Sequence, residues 1–242
     1  MSEWSTYSLQ DFIPFSQEVY LRLLERLNES VWPLHLAMLA LGLAALVFAL
    51  KRRPRIACLF MAPAWIFAGL VFHLQRFAEL NWAAHYFGWT FLAQAVILTL
   101  IGTTGIGTDR RESSDKLSSL VGVSIALLSL LGYPLIALLA GYSWRQAEVF
   151  GIHPDPTALA TLGLGLIVLK GITLWIASII PLLTTVLSAL TLFVLELPWA
   201  TPLLSLLALI PVALVWKSIA SGKQVEGRSG KGDSNGGLPG DW

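Results

Sequence analysis

The chain has 242 residues, 55% of them hydrophobic and 13% charged, with a formal net charge of +1 and a mean hydropathy of +0.69. Soluble domains carry about 25% charged residues, so this composition excludes an ordinary water-soluble globule and predicts an all-α, polytopic membrane helix bundle. The small net charge and the lack of a basic patch interleaved with aromatics argue against a nucleic-acid partner, and the single cysteine, Cys58, rules out an internal disulfide.

The first 30 residues are acidic and aromatic, without the basic region and short apolar core of a signal peptide, so membrane insertion is expected to use the first true span. Within them Phe12, Phe15, Val19, Leu23 and Leu27 recur near helical spacing, opposite Glu18, Arg22, Glu25 and Arg26. This predicts an amphipathic helix over about 9–27 that lies along the outer interface or caps the bundle mouth.

A spanning helix needs about 20 mostly apolar residues. Seven segments are expected to cross: 31–50, 56–74, 82–103, 117–141, 156–169, 172–195 and 202–219. Asn28 or Ser30 is expected to cap the first, with Pro33 in its first turn, and "KRRPR" at 51–55 stops it. "GTTGIGT" at 102–108 resembles a phosphate loop in composition alone. It lacks the Gly-Lys-Ser/Thr ending and reads as a flexible cytoplasmic turn. From 157 to 195 the one charge is Lys170. As a single helix that run would extend roughly 58 Å, against a hydrocarbon core about 30 Å thick, so a turn is expected at Lys170–Gly171. From residue 220 the composition shifts to Gly, Ser and charge, predicting a disordered cytoplasmic tail over 220–242.

This threading sorts the basic residues. Lys51, Arg52, Arg53, Arg55, Arg110, Arg111, Lys116, Lys170, Lys217, Lys223, Arg228 and Lys231 fall on one side, and Arg22, Arg26, Arg76 and Arg145 on the other. The positive-inside rule then places the N-terminus outside and the C-terminus in the cytoplasm. Trp4, Trp32, Trp82, Trp89, Trp144 and Trp199 fall near the outer helix ends or outer loops, as interfacial tryptophans do.

All four histidines, His35, His73, His85 and His153, map to the outer half, with Arg76, Glu79, Asn81, Trp144, Arg145, Asp155 and Glu196. Ionisable groups at membrane depth are costly and face a bundle interior or water, so an outer-facing polar vestibule is expected. His73, Glu79, Asn81, His85, His153 and Asp155 are its candidate ligand-binding residues. In "GIHPDPTAL", Asp155 is expected to N-cap a recessed fifth helix, with Pro156 at its first position and the carboxylate on the N–H groups of Thr157 and Ala158. No H-x-x-x-H, HExxH, G-x-S-x-G or Walker pattern occurs, so no catalytic residue is assigned and the identity of any metal or cofactor stays open. Gln94 is expected to bond a neighbouring helix, and Pro63, Pro134, Pro181 and Pro211 to kink theirs.

"MSEWSTYSLQDFIPFS", "WPLHLAMLALGL", "NWAAHYFGWTFLAQA" and "GIHPDPTALATLGL" together resemble a bacterial family of multi-pass membrane proteins, domain-of-unknown-function family 6064, up to about Trp216. The resemblance implies a small bacterial membrane protein, sometimes labelled a permease, and carries over no catalytic residues. The expected function is small-molecule binding or passage through the vestibule, with the lipid bilayer and that molecule as partners. The alternatives are an accessory or sensory subunit that contacts partner subunits, and a membrane metal or redox protein.

Overall fold

The computed structural model describes residues 13–109 and 116–232, with side chains described as far as residue 220. Among the described residues the chain is helical apart from its links and one isolated β-bridge. Helix α1 spans Gln17–Val31, and α2 spans Leu34–Leu50. Ser16 caps α1 by accepting from the Val19 N–H. The helix therefore starts beyond Phe15, and its buried face is Tyr20, Leu21, Leu24, Leu27 and Asn28, not the expected row through Val19 and Leu23. Phe12 lies outside the described residues. The axes of α1 and α2 differ by 89°, so α1 lies across one end of the bundle. Asn28 caps nothing; it is buried, and its amide donates to the carbonyls of Arg145 and Ala147 at 2.7 and 2.9 Å.

Helix α3 (Pro54–Phe67) contains Pro63, then widens into π turns over Ala68–Arg76 and closes in a 3-10 turn at Phe77–Glu79. Widened turns accompany backbone bonds that a proline disturbs. The same pattern joins α5 (Lys116–Leu127) through π turns at Leu128–Gly132 to α6 (Tyr133–Leu139), where Pro134 sits. Between these lies α4 (Ala84–Thr104), which ends on Gly105 at φ +78°. The 102–108 segment is pinned rather than free. Thr108 bridges Leu169, the Asp109 N–H donates to the Val168 carbonyl at 2.7 Å, and the Lys170 N–H donates to that of Gly107 at 3.0 Å.

Helices α7 (Pro154–Val168) and α8 (Gly171–Val194) separate at Lys170, where the turn is expected. The last helix, α9 (Ala200–Gly232), runs past 219 into the segment expected to be disordered, and 233–242 lie outside the described residues. Five helical stretches are long and apolar enough to cross a membrane: Pro54–Glu79, Ala84–Thr104, Lys116–Leu139, Gly171–Val194 and Ala200–Ala220. The bent pair α1–α2 makes a sixth if taken as one span. Helix α7, at 15 residues, is about 22 Å long and falls short.

Every residue of α7 is buried. A helix apolar all round belongs inside other helices, and α7 is the axis of this bundle. It meets α5 through paired glycines. A Cβ on Gly163 would stand 2.7 Å from the Gly122 carbonyl oxygen, and one on Gly122 would stand 2.5 Å from that of Gly163. Small residues let membrane helices approach at backbone distance. Outside, Ile172, Leu183, Phe193, Leu209 and Val212 are each more than half exposed, an apolar exterior that suits lipid.

Candidate functional site: the amino end of the central helix

The link into α7 is itself buried from Ala147 to His153, and several of its backbone N–H groups find local partners. The Val149 N–H donates to His153 Nδ1 at 3.0 Å, and the Gly151 N–H to Thr157 Oγ1 at 2.8 Å. The N–H groups of Ile152 and His153 both donate to the Val149 carbonyl. Irregular backbone survives away from water only when paired in this way. Gly151 is required here: its φ is +78°, and a Cβ would lie 2.8 Å from Met38 Sδ.

Helix α7 begins two residues earlier than expected, at Pro154, with His153 at the N-cap position and no side-chain capping bond. Asp155 is therefore not the cap. The two prolines remove two of the first three N–H groups, leaving little for a cap to accept from. Asp155 turns away instead: its Oδ2 accepts from Tyr133 Oη at 3.0 Å, and the Ser188 hydroxyl lies beside it. It still sits in the first turn, where the helix dipole favours a negative charge.

A second carboxyl group shares this interior. Glu148, like Asp155, is 2% exposed. Its Oε1 accepts from Tyr20 Oη at 3.1 Å, while Oε2 has no partner. The Trp199 indole N–H lies beside Glu148 but completes no bond. Burial pushes the Glu148 carboxyl well above its usual range, the neighbouring Asp155 adds to the shift, and the Tyr20 hydrogen bond opposes it.

The histidines divide. His85 is exposed. Asn28 Oδ1 accepts from His35 Nε2 at 2.8 Å, since the Asn28 amide is committed to two carbonyls. His153 accepts at Nδ1, which leaves its proton on Nε2, where no partner stands. His73, 5% exposed, has a partner at neither ring nitrogen. It is packed among Phe72, Phe77, Phe87 and Phe91, with the Phe91 ring centroid 4.5 Å away, and Phe72 separates it from His153.

His73 lines a cavity of about 280 Å³ between the π segment after α3, α4 and α8. Phe72, Phe77, Phe87 and Phe91 wall it, Tyr86, Leu183 and Leu187 form an exposed rim, and Tyr20, Pro154 and Ser188 form its inner side. The expected polar vestibule is thus an apolar cavity beside a sealed polar cluster. His73, His153 and Asp155 belong to that assembly. Glu79 and His85 are exposed, and Asn81 makes a local turn by accepting from the Ala83 N–H at 2.9 Å. Sequence reasoning missed Glu148, Tyr20, Tyr133 and Ser188. Glu148 had a signal, as a second acid seven positions before Asp155 in the same apolar link. Among the described residues no three His, Cys, Asp or Glu side chains gather as a metal-ligand set.

Fold and site define an all-helical bundle with an apolar exterior, built on a buried short helix whose amino end holds two carboxyl groups beside an aromatic cavity. The chain belongs to the Family of unknown function (DUF6064), whose family model matches residues 17–221. No curated protein and no solved structure matches it.

Proposed function

We propose that this chain is a multi-pass protein of the bacterial inner membrane that binds a small, largely apolar molecule bearing one hydroxyl-like group. The observation that carries the reading is His73, a buried imidazole without a hydrogen-bond partner on the wall of an aromatic cavity. A neutral imidazole presents one donor and one acceptor. Leaving such groups buried and unpaired costs about 1–3 kcal/mol each, and a hydroxyl that both donates and accepts would recover part of that. The aromatic walls supply the apolar contact that small-molecule sites use. The exposed apolar rim on α4 and α8 faces hydrocarbon, so the ligand enters sideways from the bilayer.

The test is a thermal-shift comparison in lipid nanodiscs with naphthol and naphthalene as probes. Naphthol is expected to stabilise the protein more than naphthalene, and His73→Phe to abolish the difference. Equal shifts with both probes, or a difference that survives His73→Phe, would overturn the reading.

The same proposal includes seven crossings with the N-terminus outside. Helix α7 contributes the fifth, a short crossing recessed within the bundle between the buried link before it and the turn at Lys170. A reporter active only in the cytoplasm, fused after Ser221, is expected to be active; silence there would overturn the orientation.

A further inference from the structure

We infer that Glu148 and Asp155 together form a proton-binding site, holding one exchangeable proton between them at neutral pH. Both carboxyl groups are 2% exposed and lie in the interior at the amino end of α7, each held by one tyrosine hydroxyl. Neither has an ion-pair partner among the described residues; the ion pairs Arg22–Glu18 and Arg145–Glu29 lie elsewhere, at exposed positions. Two negative charges in one dry interior repel, and each lacks the water that would solvate it. One negative charge is tolerable. On Asp155 the amino end of α7 favours it and the Tyr133 hydroxyl donates to it. On Glu148 a second charge would have the Tyr20 hydroxyl, no helix end and one oxygen without a donor, so a proton takes its place there.

The unpartnered atoms point the same way. Glu148 Oε2 is buried and meets no donor, which is where a carboxyl proton can reside at little cost. Among the described residues the surrounding ionisable groups supply no countercharge. Tyr20 on α1 and Tyr133 on α6 already donate to the acids. His35 on α2 gives its proton to Asn28. His153, accepting at Nδ1, is not an imidazolium. On α8 and in the link before α9, the neighbours are the uncharged Ser188 and Trp199. Tyr20 and Ser188 also line the cavity, so one hydroxyl stands between it and each acid. The proton therefore has a way in that does not require α7 to unfold.

Infrared spectroscopy of the full chain in nanodiscs tests this through the C=O band of a protonated carboxyl group, taken as wild type minus Glu148→Gln/Asp155→Asn. The difference is expected to show that band at pH 7, lost in a one-proton titration as pH rises. Asp155→Asn removes the like charge and is expected to lower the Glu148 midpoint by about one pH unit or more, a tenfold change in proton affinity. If the double variant does not fold, Tyr20→Phe keeps both acids and is expected to raise the wild-type midpoint by removing a donor to the ionised form. A spectrum with both groups ionised at pH 7 would overturn the inference. So would loss of the band when sodium chloride replaces choline chloride at constant pH, since the site would then hold a metal cation. Neither outcome depends on naphthol binding, so this inference and the cavity reading fail separately.

Discussion

The two ends of α7 solve one problem in opposite ways. Both are buried and both match the helix dipole, with an acid at the amino end and a lysine at the carboxyl end. At the carboxyl end the Leu166 carbonyl has lost its helical donor, because the Lys170 N–H goes to Gly107, and Lys217 Nζ donates to it instead. Leu169 is pinned by its bridge to Thr108. At the amino end the accounts stay open. Glu148 Oε2, His153 Nε2, Trp199 Nε1 and both nitrogens of His73 are buried without partners. Unsatisfied buried groups are rare in folded proteins and call for an explanation. The contrast separates a closed anchor from an end that keeps chemical capacity, at some cost in stability.

Substitutions along α7 can break that contrast. The largest effect is expected at its middle, where Gly163→Leu forces a side chain against the Gly122 carbonyl and the Ala126 backbone. Overpacking of this kind costs about 1–3 kcal/mol and occasionally more. Because the obstacle is backbone, the upper end is expected, with loss of folded protein on size-exclusion chromatography. Next comes Lys217→Met, which removes the ammonium that donates to the Leu166 carbonyl in the buried interior. About 2 kcal/mol is expected by equilibrium unfolding in mixed micelles, with naphthol binding unchanged. A loss of binding there would mean that the two ends are not independent.

The amino end is expected to respond in the other direction, and to pH. Glu148 has its carboxyl raised above the ordinary 4.5 in the folded state, so above that value the folded protein holds more protons than the unfolded chain. Stability is then fully present below pH 4.5 and falls as pH rises through the folded value, with a slope of at most about 1.4 kcal/mol per pH unit for one proton. Glu148→Gln is expected to flatten that slope and to stabilise the protein at alkaline pH. Melting curves from pH 5 to 9 check it, and a slope unchanged in the variant would assign the proton elsewhere.

How much of this was legible in the sequence follows from what each feature depends on. Apolar run length is local, so five of the expected seven spans and the break at Lys170 could be read directly. The family resemblance was legible as well, and the family model bears it out. The bend between α1 and α2, the buried face of α1 and the encirclement of α7 depend on which helices pack together, and no single segment carries that. Asp155 shows the limit most clearly. Its place among prolines suggested a cap, but Tyr133, 22 positions away, offers the better partner. His73 and His85 looked equivalent; a π segment turns one inward, while α4 leaves the other exposed.

The smallest expected effect is also the most diagnostic of charge. Tyr133→Phe removes one of the two hydroxyls at Asp155 and leaves that of Ser188. A hydrogen bond to a neutral group is worth about 1 kcal/mol, and one to a charged group roughly 1.5–3 kcal/mol. With the charge on Asp155 and the proton on Glu148, the Tyr133→Phe loss is expected to be alike at pH 6 and 9. Tyr20→Phe at Glu148 is expected to start near the lower figure at pH 6 and to grow as pH rises. Unfolding of both variants at the two pH values measures this, and a Tyr20→Phe loss of 2 kcal/mol or more that is equal at pH 6 and 9 would mean two fully ionised carboxylates. The amino end of α7 would then be a second anchor, and the contrast between its ends would vanish.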